Sequence, residues 1–190
     1  AQNVVVGQWR LAAVDGSAAF AGLSFTASGT TNEALAISRL RLFADLNSNG
    51  ARESNEPMLG SPVTSVNGDD ATISFSFASQ ALAIGNPYRV LLVADLSGKG
   101  VAGETIQFSL SAASAVVSVA PNATTAAAPV RGNFPVLGSF VTLGITGIPL
   151  LGKVTLDAES AQTGAAGLSA AVKVTNVGGS PMDLSSAALF

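Results

Sequence analysis

The chain contains no cysteine and no histidine. That excludes disulfide frameworks, thiol nucleophiles, Cys/His zinc and iron sites, Ser–His–Asp triads and imidazole general bases. It does not assign a compartment, because many exported proteins also lack cysteine. Charge is scarce too: 11% of residues are Asp, Glu, Lys or Arg, against about a quarter in an ordinary domain. With a net charge of −3, the chain has no basic field to hold nucleic acid or an anionic membrane. Long apolar runs are missing as well. The most apolar stretch, residues 136–151, is interrupted by Gly138, Gly144, Gly147 and Pro149 and is shorter than the ~20 residues of a spanning helix, so no membrane insertion is expected. No positively charged segment followed by an apolar one opens the sequence, so no signal peptide is read. Ala1-Gln2 suits a mature N-terminus left after cleavage, which is compatible with export.

What is present is apolar and strand-like. The chain has 190 residues, 48% of them hydrophobic, and a mean hydropathy of +0.46. It can therefore bury a substantial core and is not a disordered chain. Hydrophobic residues recur with period two, the mark of half-buried strands. Ile73, Phe75 and Phe77 alternate with Thr72, Ser74 and Ser76, and Leu40 and Leu42 with Arg39 and Arg41. Residues 105–110 and 172–175 alternate in the same way. Val90-Leu91-Leu92-Val93-Ala94 is apolar throughout and predicts a central strand covered on both faces. Val66-Asn67-Gly68-Asp69 reads as a type I′ hairpin. The Ala-rich runs are broken by Gly, Pro and β-branched neighbours, so helix is not expected. The fold class is all-β, an antiparallel sandwich of the Ig-like or jelly-roll-like kind. Near Pro135 the character shifts. The expected division is a sandwich domain over 1–136 and further strands over 137–190. Those strands form either part of a second module or strands that complete the first domain or an assembly.

One motif carries specific chemistry. Residues 45–56 read Asp-Leu-Asn-Ser-Asn-Gly-Ala-Arg-Glu-Ser-Asn-Glu and fit the pattern D-x-[DN]-x-[DN]-G-x₅-E at every defined position. Calcium takes six to eight oxygen ligands. Asp45, Asn47 and Asn49 offer side-chain oxygens at alternate positions, and Gly50 allows the reversal after them. The Ala51 carbonyl is the expected backbone ligand, Glu53 acts directly or through water, and Glu56 closes the shell. Three carboxylates and two Asn predict an affinity on the order of 10⁻⁴ M. That corresponds to roughly 1.5 kcal/mol of stability at millimolar calcium. The loop follows the strand 37–43 and precedes no amphipathic helix, so it is a structural calcium loop and not an EF-hand switch.

Asn32, the strand Ile37-Ser38-Arg39-Leu40-Arg41-Leu42-Phe43 and the loop from Asp45 to Pro57 resemble bacterial extracellular β-sandwich modules in which a strand ends in a D-x-N-x-N-G calcium loop. The resemblance implies a secreted, calcium-rigidified building block of the surface or adhesin-like kind. Residues 171–184 are similar to the opening strands of family-three cellulose-binding modules. They lack the aromatic continuation, and no binding residue carries over.

Other signals are read as structural. Gly98-Lys99-Gly100-Val101-Ala102-Gly103 has dinucleotide-type spacing, but an alternating strand follows it, not a helix, so it is a loop. Lys99 near Ser97 is a solvated turn lysine, and Asp69-Asp70 are turn acids. Asp95 and Glu104 flank one loop and form a minor candidate for a second ion. Asn122-Ala123-Thr124 fits the glycosylation triplet, which is common by chance. Trp9 and Tyr88 are the only residues of their types and give a thin case for sugar stacking; Trp9 is expected to cap the core. No Asp/Glu pair sits in a glycosidase-like cleft motif, so no enzyme is expected.

With only Lys99, Lys153 and Lys173 to guard strand edges, and apolar segments at 4–6 and 184–190, the expectation is a structural subunit. It would belong to a cell-surface fibre, pilus-like filament or layer, a homopolymer joined by terminal β-strand addition. The alternative is an adhesin or carbohydrate-binding module of a larger secreted protein. Pairing of residues 4–6 within their own domain is the competing account of the N-terminal strand.

Overall fold

The structure, a computed structural model, describes residues 1–143 apart from 15, 123 and 125. The expected strands beyond 143 and the cellulose-binding-like segment lie outside the described residues. Alternating sequence becomes strand where a core face is available. The elements are β1 (Val4–Leu11), β2 (Ala18–Gly29), α1 (Glu33–Ala36), β3 (Ile37–Ala44), β4 (Thr72–Leu82), β5 (Tyr88–Leu96), β6 (Thr105–Leu110), β7 (Val116–Val119), β8 (Val136–Leu137) and β9 (Val141–Thr142). They form two sheets packed face to face. The smaller has the order β1-β5-β3 and the larger β4-β2-β6-β8, with β7 also on β2 and β9 also on β6. All the ladders are antiparallel. The chain is thus an all-β antiparallel sandwich, as its periodicity predicts.

The inward faces supply the core. Trp9, Phe20, Leu23, Phe25, Leu40, Leu42, Leu92, Ile106 and Phe108 are each at most 2% exposed. Trp9 lies 4.6 Å from Phe25 between ring centroids, and Phe25 meets Phe75 edge-on at 6.1 Å. The Trp9 indole N–H donates to the Val136 carbonyl at 3.0 Å, so its polar atom is satisfied inside the core.

The continuous apolar strand sits where its composition requires. β5 lies between β1 and β3, and every residue from Val90 to Leu96 is buried. On its outer face Leu91 and Val93 join Phe43 in a second small cluster. The Arg52 guanidinium lies 3.9 Å from the Phe43 ring centroid and roofs it.

Two expectations need correction. Residues 66–69 are not a hairpin, because β3 and β4 lie in different sheets and residues 45–71 cross between them. Gly68 and Asp70, not Asn67, have positive φ (104° and 51°). The Asn-Gly signal marks a turn; the partners of the flanking strands decide whether that turn closes a hairpin. A helix does form, the single turn α1, although the sequence signals none.

Other points bear on the expected organisation. β1 pairs with β5 of its own chain along its whole length, Val4 opposite Ala94 and Leu11 opposite Tyr88. The expected boundary at 136/137 falls inside β8. With β9, this segment forms one interrupted edge strand along β6, Val136 opposite Leu110 and Val141 opposite Ile106. No helix among the described residues is long and apolar enough to cross a membrane.

Candidate metal centre

The 45–56 loop leaves the buried end of β3 and is fastened on both sides. The Asp45 N–H donates to the Arg89 carbonyl at 2.9 Å, continuing the β3–β5 ladder by one step. After the loop the chain returns along the free edge of β3. Ala44 N–H donates to Pro57 at 3.0 Å, Leu59 N–H to Leu42 at 2.8 Å, and Leu40 and Val63 exchange both backbone bonds. The two ends of the motif are therefore held close together by the sheet itself.

Within that frame, Asp45 and Glu56 are buried, at 5% and 3% exposure, while Asn47, Asn49 and Ala51 are exposed. Asp45 Oδ2 accepts from the Gly50 N–H at 3.0 Å and from the Gln8 side-chain amide of β1. Glu56 Oε2 accepts from the Glu53 N–H at 2.9 Å, with the Arg52 guanidinium 4.0 Å away. The second oxygen of each, Asp45 Oδ1 and Glu56 Oε1, is buried without a partner. Orphaned buried oxygens are uncommon and costly in a folded protein. Here they belong to the first and last residues of a twelve-residue calcium pattern.

The intervening side chains are organised as well. Asn47 Oδ1 accepts from the Asn49 N–H at 3.2 Å, and Asn49 Oδ1 from the Ala51 N–H at 2.7 Å. These Asx turns use one lone pair of each amide oxygen and leave the other. Both Asn amide groups donate to Glu53, Asn47 to Oε2 and Asn49 to Oε1, each at 2.8 Å. Glu53 thus holds the two amides, a role its position in the motif does not reveal. Ser48 and Gly50 take positive φ (62° and 71°), and Ser48 Oγ accepts from Arg89 Nη1 at 2.6 Å.

The donor types suit calcium, being oxygens only, two of them buried and unsatisfied, with no nitrogen or sulfur ligand to favour a softer ion, although Asp45, Glu53 and Glu56 do not bring three carboxylates within 4.8 Å of one another. When bound, the ion would supply structural cross-linking of the loop through Asp45 and Glu56, with Asn47 and Asn49 as the further side-chain donors.

The remaining candidates separate. Asp95 is held by Arg41 at 2.6 Å, by Arg39 at 3.7 Å and by the Asn3 N–H at 2.9 Å. Glu104 accepts from Thr31 Oγ1 at 2.6 Å and from the Val101 N–H at 2.9 Å, and these bonds lower its pKa. Each is engaged with its own partners. Trp9 is 2% exposed, and Tyr88 is half-buried with its ring edge-on to Phe20 at 5.4 Å. Trp9 is therefore a core residue and presents no open platform for a sugar. Sequence reasoning missed a separate acidic group: Glu33, Asp69 and Asp70 each offer a carboxylate oxygen within 4.8 Å of the others. The carboxylates of the 45–56 loop do not converge so closely.

The chain matches no protein-family model, no curated protein and no solved structure.

Proposed function

We propose that this chain is a structural module of a secreted or cell-surface assembly, stiffened by calcium at residues 45–56 and joined to further copies by β-strand addition. The observation that carries this reading is an unguarded sheet edge. Among the described residues β4 is the outermost strand of the larger sheet, and its eleven residues include no charge and no proline. Monomeric proteins ordinarily blunt such edges with Lys, Pro or bulges. A bulge interrupts the ladder opposite Phe20 and Gly22, but Thr72–Ser76 runs in regular register against Gly22–Thr26. Gly60 of the crossover lies against the Ser76 carbonyl, so the stretch Thr72–Ser74 is the part whose outward backbone groups have no ladder partner among the described residues and could receive an added strand. The calcium half of the reading is supported by the unpartnered oxygens of Asp45 and Glu56.

The test is sedimentation velocity and electron microscopy of the full chain in calcium and in chelator, with a Ser74→Lys/Ser76→Lys variant alongside. Both serines are exposed, and the one side-chain bond given up is Ser74 Oγ to Ser24 Oγ at 2.8 Å, so the variant is expected to keep its fold, checked by circular dichroism. The expected result is concentration-dependent assembly that the two lysines suppress. A wild-type chain that stays monomeric at every concentration in calcium, or assembly that the lysines leave untouched, refutes strand addition at this edge.

A further inference from the structure

Away from the 45–56 loop, two elements from different sheets bring carboxylates together. Glu33 opens α1, directly before β3 of the smaller sheet. Asp69 and Asp70 end the long connection, directly before β4 of the larger one. One carboxylate oxygen from each lies within 4.8 Å of the other two. Asp69 and Asp70 would point apart on a strand, but Asp70 has a φ of 51°, outside strand geometry, and both approach Glu33.

Glu33 is 0% exposed. Its Oε2 accepts from the Asp70 N–H at 3.0 Å, and its Oε1 is buried with no partner. Burial raises the Glu33 pKa. The Asp70 amide partly opposes the rise, and the Asp69 carboxylate adds to it. Among the described residues, no Lys or Arg forms an ion pair with any of the three acids. A sealed carboxylate facing two more, with no counter-charge, is an arrangement that a cation relieves. The ligand chemistry selects the cation. All donors are carboxylate oxygens, which suit a hard divalent ion of the calcium class and not zinc or copper. Asp69 and Asp70 are exposed, so water can complete the shell.

We propose that Glu33, Asp69 and Asp70 form a second calcium site, which ties the start of β3 to the start of β4 and so fastens one sheet to the other. This goes beyond the proposed function and does not depend on the 45–56 loop.

The experiment is calorimetric titration of the chelator-treated full chain with calcium chloride, together with thermal melts, for wild type, Glu33→Gln, Asp69→Asn/Asp70→Asn and Asp45→Asn. The amide introduced by Glu33→Gln keeps a carbonyl oxygen for the Asp70 N–H. Glu33→Gln is expected to bind one calcium equivalent fewer than wild type. Its melting shift in about 5 mM calcium should be smaller by about 3–5 °C. In chelator it should melt at or above the wild-type temperature, because a buried charge is gone. Asp69→Asn/Asp70→Asn changes only exposed side chains and reports the same loss if Glu33→Gln does not fold. Asp45→Asn should keep this equivalent, so failure of the loop reading and failure of this site are read separately. Variants at 33 or 69/70 that bind as many equivalents as wild type, with an unchanged calcium-dependent melting shift, overturn the proposal.

Discussion

Asp45→Asn is the sharpest perturbation of the loop, because it changes one buried atom and keeps the shape. The surviving oxygen still accepts from the Gly50 N–H, which lies 3.0 Å from Asp45 Oδ2, and from Gln8. The group replaced is the orphaned Oδ1, and the amide N–H₂ in its place is a donor that cannot ligate a cation. In chelator the substitution therefore removes a buried charge with an unmet oxygen and should leave stability unchanged or slightly higher. In calcium the outcome reverses. A dissociation constant on the order of 10⁻⁴ M gives about 1.4 kcal/mol of stabilisation at about 1 mM calcium. In a chain of this size that is a Tm rise of about 3–6 °C. The variant should lose that increment. The assay is a pair of calorimetric melts, in calcium and in chelator, for each protein, read as the difference of differences so that any metal-independent effect cancels. If Asp45→Asn keeps the full calcium increment, the unpartnered oxygen is not a ligand and the reasoning fails.

Arg52 sits inside the loop with its side chain about one-fifth exposed, so trypsin reports on the same ion. Cleavage there should slow about tenfold on going from chelator to about 1 mM calcium if cutting requires ion release, with fragments identified by mass spectrometry. Gly138→Ala should destabilise the chain by about 1–3 kcal/mol, measured by urea midpoint, because the new methyl would meet Trp9 at 2.7 Å and the Phe108 carbonyl at 2.9 Å. Glu104 makes a pH prediction. Its folded-state pKa lies below the ordinary value because Thr31 and the Val101 amide stabilise the charged form. The unfolded chain then binds more protons, so the stability from this group is present above the ordinary carboxylate pKa and is lost as pH falls through the folded one. Glu104→Gln should flatten that acid limb in urea midpoints taken from about pH 5 to about pH 3. An unchanged slope would assign the limb to other carboxylates.

Period-two patterning identifies β3 and β6 to within a residue and the first half of β4, which runs on five residues past Phe77; β5 is identified by its continuous apolar run, two residues short at each end. The same pattern runs through β2, where Leu23, Phe25 and Ala27 alternate with Ser24, Thr26 and Ser28, although glycine and alanine dilute it. The calcium-type pattern can be read for a related reason: its candidate donors lie within twelve consecutive residues, so the pattern is a matter of local spacing. Folding adds the burial of Asp45 and Glu56 and the placement of Glu53 on the two Asn amides.

What the sequence could not carry was everything that depends on which sheet a strand joins. Asn67-Gly68 marks a turn in either case; only the placement of β3 and β4 in opposite sheets makes the segment a crossover. The apolar N-terminal strand reads equally as a donor to a neighbour or as a partner for β5, because strand pairing is recognised by backbone and not by sequence separation. Glu33 lies 37 residues from Asp70, with no shared motif to link them. Their meeting is produced by the sandwich itself, which stacks the starts of two strands from different sheets at one end of the core. Local periodicity and local ligand spacing are short-range properties and survive in a one-dimensional reading; the closure of long loops by core packing is not.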